Sequence, residues 1–211
     1  MANILLGVTG SVAAIKIPEI CGLLLEKSHK INLLCTSSSL YFFDQQHLKR
    51  QFPSISLTTD EMEWPMLETG GKYQRGDKVL HIELRKWADI FVVAPLDANT
   101  LAKFALGLAD NCLTSVWRAR NPQTPTILAP AMNTFMWEKP VTASHLACLA
   151  LEQGIHLDPH KSPSDLCEEI KKSPSNLKVL APISKELACG DYGTGAMAEL
   201  TTIVEAIQKV C

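Results

Sequence analysis

Short apolar runs that stop at polar, glycine- or proline-marked turns alternate along this chain with stretches of helical spacing. "NILLGV" runs into glycines, "SVAAIKIPEICGLLLEKS" carries apolar residues at helical spacing, and "KINLLCTSS" is apolar again, which together make a β-α-β unit. The pattern returns as strand, helix and strand in "ADIFVVAPLDANT", "TLAKFALGLADNCLTSVWRAR" and "TPTILAPAMN". Such alternation predicts an α/β fold whose parallel sheet is covered by helices on both faces. Further on, "VTASHLACLALEQG" predicts a helix closed by Gly154, "GIHLD" and "NLKVLAP" predict strand pieces, and "LTTIVEAIQKVC" predicts a C-terminal helix. Two polar stretches with Gly or Ser-Pro signals, 65–78 and 159–176, read as exposed loop insertions. A chain of 211 residues with 46% hydrophobic content suits one domain, 1–211, burying roughly 70% of its unfolded surface.

The formal charge of −2 gives no excess of positive charge to draw the surface onto nucleic acid or an anionic membrane. "MANILLGVTG" has no basic segment ahead of its apolar run and reaches glycine too early for a signal peptide. No apolar run approaches the roughly 20 residues of a membrane span, and a soluble, cytoplasmic protein is expected. Seven cysteines, Cys21, Cys35, Cys112, Cys148, Cys167, Cys189 and Cys211, form no CxxC pair and no zinc-like Cys/His spacing, so neither disulfides nor a structural metal is expected. Most fit as small buried hydrophobes. Cys189 differs, because glycine rather than apolar sequence surrounds it in "LACGDYGTGAMAEL".

Ligands of open α/β sheets gather at the carboxyl ends of the strands, so the turns there are the candidate sites. The first, "GVTGSVAA", has neither the G-x-G-x-x-G spacing of dinucleotide folds nor the G-K-[ST] of P-loops. Its Gly10 and Ser11 open a helix whose free N–H groups suit a phosphate, although Ser11 serves equally as a plain helix cap. In the second, "CTSSS", the neutral Thr36, Ser37 and Ser38 stand where an NAD-binding fold places an acidic residue for the ribose. The two turns favour a mononucleotide such as FMN, unless the serines only shape the turn. In the third, Asp97, Asn99 and Thr100 either hydrogen-bond an isoalloxazine edge or ribityl hydroxyls or cap the next helix. The fourth, "PAMNTFMW", sets Met132 and Asn133 directly after a buried strand, where packing explains a methionine more readily than an asparagine. His81, within "VLHIELRKWAD", reads either as a satisfied core histidine or as a general base.

Five stretches in order, "GVTGSVAA", "VLHIELRKWAD", "APLDANTLAK", "PAMNTFMW" and "ACGDYGTGAMAE", resemble the homo-oligomeric flavin-containing cysteine decarboxylases. The resemblance runs from Asn3 to about Ile207, and Pro130, Met132, Asn133, Met136 and Trp137 match the family's Pro-x-Met-Asn-x-x-Met-Trp motif. It implies a flavodoxin-like Rossmann fold and FMN bound near the subunit interfaces of a homotrimer or higher oligomer of trimers. The implied reaction is decarboxylation of 4′-phosphopantothenoylcysteine to 4′-phosphopantetheine in coenzyme A biosynthesis. By the same resemblance His81 is an active-site base, Asn133 binds the substrate carboxylate, and Cys189 acts in the reductive half-reaction from a substrate-covering flap, 187–200. Flavin contacts carry over to Gly10, Ser11, Ser37, Asp97, Asn99, Thr100 and Met132, and substrate contacts to Asn133, Met136 and Lys185. Relatives carry a basic run before the flap cysteine; here Ser184, Lys185 and Glu186 stand there, leaving Lys185 as the candidate for the substrate phosphate. A peptidyl-cysteine decarboxylase and a regulatory flavoprotein of the same fold are the alternatives. The presence of His81, Asn133 and Cys189 in one chain favours a self-sufficient enzyme.

The chemistry explains the residue types. Loss of CO₂ from an N-acylated cysteine leaves a carbanion with no electron sink, and an amide nitrogen forms no Schiff base. Oxidation of CH₂–SH to a thioaldehyde puts the carboxylate β to a C=S group, so that CO₂ leaves as an enethiolate forms. A neutral Asn133 holds the carboxylate without the ground-state stabilisation that a fixed cation would give it. The return of hydride then needs a proton donor, and a thiol with a reference pKa of about 8.5 is largely protonated at neutral pH. Gly190, Gly193 and Gly195 are expected to give the flap its freedom to close.

Overall fold

The computed structural model of the chain describes residues 1–65, 70–187 and 190–211. Strands β1 (Asn3–Val8), β2 (Lys30–Cys35), β3 (Ser56–Thr59), β4 (Ile90–Leu96), β5 (Thr126–Pro130) and β6 (Leu177–Val179) form one parallel sheet in the order β3-β2-β1-β4-β5-β6. Helices α1 (Ile17–Glu26), α2 (Gln45–Gln51), α3 (Leu80–Trp87), α4 (Ala98–Leu106), α5 (Cys112–Ala119), α6 (Thr134–Trp137), α7 (Pro140–Leu151), α8 (Pro163–Lys172) and α9 (Leu200–Gln208) accompany it. Side chains of the strands alternate between two layers: Ile4, Leu6 and Val8 pack with α1, α2 and α9, while Leu5, Phe91 and Val93 pack with α3, α4, α5, α7 and α8. Both layers are apolar, which is why the strands read as unbroken apolar runs. The expected flavodoxin-like, doubly wound α/β fold is the one observed, and among the described residues no helix is long and apolar enough to cross a membrane.

Several local expectations are corrected. The first crossover begins with a tight helical turn, Val12–Lys16, before α1, whose first turn holds Pro18. The single helix expected over "TLAKFALGLADNCLTSVWRAR" is two, because Gly107 closes α4 at φ +69° and Asn111 starts α5 with a reciprocal capping box to Thr114. "GIHLD" is not a strand: Gly154 turns at φ +73° and the Ile155 N–H donates to the Ala150 carbonyl, so it caps α7 instead of joining a ladder. The exposed loop expected over 159–176 contains α8, capped by Ser162 with Pro163 in its first turn and burying Leu166, Cys167 and Ile170. Within 65–78, residues 66–69 lie outside the described residues and 71–77 are exposed or half-buried turn and coil.

After β6 the chain forms an antiparallel ribbon, β7 (Ile183–Glu186) with β8 (Tyr192–Ala196), and β8 falls within the expected flap. Conformational freedom explains only Gly190, at φ +85°. At Gly195 an added Cβ would overlap the Met132 carbonyl oxygen and stand 3.2 Å from the Thr134 nitrogen, so this glycine is required by close packing onto the turn after β5.

Candidate active site

Strand order reverses between β1 and β4, and the turns after β1, β2 and β4 meet there. Gly10 lies so near the second turn that a Cβ on it would stand 2.5 Å from Ser38 Oγ and 3.6 Å from Asp97 Oδ2. Thr9, fully buried, joins the first and third turns: its hydroxyl donates to the Pro95 carbonyl (2.9 Å) and accepts from the Asp97 N–H (2.7 Å). Asp97 caps α4 by accepting from the Thr100 N–H (2.7 Å), Thr100 is buried, and Asn99 is exposed. Ser11 accepts from the Ala13 N–H at 3.4 Å, so it makes the cap while facing the cleft described below. Ser37 turns elsewhere, donating from N and Oγ to Asp60 Oδ2 at 3.1 and 3.2 Å, and Ser38 is the serine set against Gly10. Hydroxyls of Ser11 and Ser38 beside a glycine, with no acidic residue ending β2, make a donor set for a phosphate rather than for a ribose diol. The residues present fit a flavin mononucleotide.

Beside this switch point lies a cleft of about 590 Å³ that brings together Ser11, Met132, Asn133 and Lys185, along with Lys16 and Met197. Lys16 pairs with Glu19 at 3.0 Å across an exposed turn. Met132 is mostly packed, and its N–H donates to the Gly195 carbonyl (2.9 Å), which joins the ribbon to the turn. Asn133 caps the short α6: its Oδ1 accepts from the Phe135 N–H (2.9 Å). That bond fixes the orientation of the amide, and Nδ2 donates to Asp191 Oδ2 at 3.1 Å. Met136 stands exposed on α6 without lining the cleft. Cys189 lies outside the described residues.

His81 is on α3, and it does not line the cleft. Its Nδ1 is 2.6 Å from Glu63 Oε1, and the Glu63 side chain is 3% exposed against 20% for the histidine. A buried carboxylate thus holds one ring nitrogen and leaves Nε2 for other work. Beneath them Cys112 donates its N–H to Asp60 (3.3 Å), and burial, then the Glu63 carboxylate, pushes the Cys112 thiol up. Sequence reasoning missed Thr9, Glu63 and Asp191. Only Glu63 left a signal, as an acidic residue between Met62 and Trp64 in "DEMEW".

The chain is similar to phosphopantothenoylcysteine decarboxylase of Oryza sativa subsp. japonica, at 44% identity over 209 residues, 99% of this chain and 80% of the relative. The enzyme of that name from Mus musculus is 40% identical over 209 residues, covering 99% of this chain and 86% of the relative. Among solved structures, a PPC decarboxylase mutant complexed with pantothenoylaminoethenethiol matches with a TM-score of 0.78 at 40% identity, covering 99% of this chain and 97% of the other. The FMN binding protein AtHal3 matches with a TM-score of 0.74 at 41% identity, covering 99% and 95%. A family model described as Flavoprotein matches residues 1–211, and the chain belongs to the Flavoprotein family.

Proposed function

We propose that the chain is an FMN-dependent carboxy-lyase that converts 4′-phosphopantothenoylcysteine to 4′-phosphopantetheine in coenzyme A biosynthesis. The observation that carries this reading is the Asn133 amide, held by its own helix so that Nδ2 presents to a carboxylate at the cleft, in a chain whose relative binds pantothenoylaminoethenethiol.

Gly10, Ser11 and Ser38 would hold the FMN phosphate, with Asp97, Asn99, Thr100 and Met132 further along the cofactor. When bound, FMN supplies a two-electron acceptor for the hydride of CH₂–SH and returns it after CO₂ has left. Glu63 keeps Nδ1 of His81 engaged, and Nε2 takes the proton lost as the thiol becomes a thioaldehyde. Asn133 orients the carboxylate until CO₂ departs and an enethiolate remains. Cys189 then gives the carbon its proton. Lys185 and Lys16, both on the cleft, are the cations for the substrate phosphate.

The reading includes a single domain, a cytoplasmic setting, and self-association as a homotrimer or higher oligomer of trimers. Two observations support assembly. Phe135 and Met136 stand 70% and 45% exposed on the helix that Asn133 caps, and His81 does not line the cleft that holds Asn133. A partner surface would cover the first pair and bring a second chain's residues to the site.

The test is anaerobic incubation with 4′-phosphopantothenoylcysteine while flavin absorbance and product mass are followed together. Formation of 4′-phosphopantetheine with no net flavin reduction is expected. Bound flavin without turnover would refute the assignment.

A further inference from the structure

We infer that Asp191 is a built-in competitor for the substrate carboxylate, holding the Asn133 amide until substrate displaces it and taking it back once CO₂ has gone. The inference rests on the reading above that Asn133 receives that carboxylate.

Three observations lead to it. Asn133 has no freedom to exchange its oxygen and nitrogen, because Oδ1 is committed to the Phe135 N–H at 2.9 Å, so the group it offers to the cleft is a donor. What it holds is a carboxylate oxygen, Asp191 Oδ2 at 3.1 Å, from a residue 58 positions away. Asp191 itself stands one residue before β8, where its carbonyl accepts from the Leu187 N–H at 2.8 Å, so the backbone is tied to the ribbon while the side chain reaches across to the turn after β5.

Two carboxylates on one amide compete for its N–H donors and repel each other. An incoming substrate carboxylate that takes the Nδ2 proton now given to Asp191 breaks the Asn133–Asp191 bond, and one that approaches beside it meets the Asp191 charge, so its apparent affinity is lowered by the fraction of protein in which that bond is made. A ligand without the carboxylate faces no such competition. Loss of CO₂ removes the competing group, and Asp191 returns to the amide. The exchange ties the position of the ribbon to whether the bound molecule still has its carboxylate.

The experiment uses the full-length, flavin-loaded protein and two unreactive ligands measured by calorimetry. One, 4′-phosphopantothenoyl-alanine, keeps the carboxylate and lacks the thiol; the other, 4′-phosphopantothenoyl-ethylamine, lacks both. Asp191→Ala should tighten binding of the alanine ligand about threefold to tenfold, the scale of one ordinary net hydrogen bond. Binding of the ethylamine ligand should not change. In an Asn133→Ala background the tightening should disappear. Asp191→Asn, which keeps a neutral acceptor, should give the same selectivity at smaller size, and it serves if the alanine variant folds poorly. No tightening, or equal shifts for both ligands, would overturn the inference. Release of CO₂ from 4′-phosphopantothenoylcysteine by the wild-type protein is scored separately, so failure of the proposed activity is distinguishable from failure of the competition.

Discussion

Replacing Gly195 with alanine tests how the site is braced. The new Cβ would overlap the Met132 carbonyl oxygen, with the Thr134 nitrogen at 3.2 Å and the Asn133 carbonyl carbon at 3.3 Å. These are backbone atoms of one turn and cannot rotate away. Ordinary C···O contact needs about 3.3 Å or more, so β8 must retreat by roughly 1 Å. That retreat would stretch the Met132 N–H to Gly195 carbonyl bond, now 2.9 Å, beyond hydrogen-bond length. Overpacking of this kind costs about 1–3 kcal/mol, and a buried N–H left without its acceptor costs about 1–3 kcal/mol. Relaxation shared between them leaves an expected loss of about 2–4 kcal/mol, or about 4–16 °C in Tm for a domain of this size. Decarboxylation should fall with it, because the displaced segment carries Asn133. Gly193→Ala is the internal comparison: its Cβ would meet the Thr134 side chain, Oγ1 at 2.6 Å and Cγ2 at 2.8 Å, and so crowds a side chain instead of the backbone of the turn. Thermal unfolding and turnover of both variants decide the matter. A Gly195→Ala protein with wild-type Tm and turnover would refute the bracing role.

Removal of the carboxylate behind His81 in Glu63→Ala should slow flavin reduction by substrate on the order of tenfold to a hundredfold, a part of what a general base supplies, with KM little changed. An unchanged single-turnover rate in stopped flow would remove Glu63 from that role. His29 accepts the Ala2 N–H at Nδ1 (3.3 Å), and burial, then the N-terminal charge and Lys27, lowers its pKa from 6.5. The unfolded chain therefore binds the extra proton first, so this contribution to stability is present above pH 6.5 and is lost as pH falls from there toward the lower folded value. His29→Gln should flatten the acid limb of Tm against pH. Burial pushes the Cys21 and Cys35 thiols up to about 12, whereas Cys148 is exposed. A thiol reagent followed by peptide mass should label Cys148 in the native protein and Cys21 and Cys35 only after unfolding.

The sheet was legible because its strands are buried on both faces and so appear as unbroken apolar runs, and the site turns were legible because ligands of such sheets lie at strand ends. The helix α8 was not, although Leu166, Cys167 and Ile170 have helical spacing. Its Ser-Pro start has the composition of a loop, while physically Ser162 is a cap and Pro163 needs no N–H in the first turn. Composition placed a run of hydroxyls after β2 without saying which would face Gly10, because that depends on Asp60, 23 positions from Ser37, drawing the latter aside. The pairs His81–Glu63 and Asn133–Asp191 are 18 and 58 positions apart, so no local pattern encodes them. The glycines of the ribbon were visible, but a sequence does not distinguish a glycine needed for motion from one needed for contact.

A sheet with two apolar faces has a weakness that an amphipathic one lacks. If one strand slid by a residue against its neighbour, oil would still meet oil on both sides, and solvent exposure would penalise the error only slightly. Something polar must then count the residues. Thr9 is placed to do so, since its hydroxyl meets both the Pro95 carbonyl and the Asp97 N–H only when β1 and β4 are in the observed alignment. A slip of one position would put Val8 or Gly10 there, neither with a hydroxyl. One buried side chain thus proofreads the alignment on which the spacing of Gly10, Ser38 and Asp97 depends.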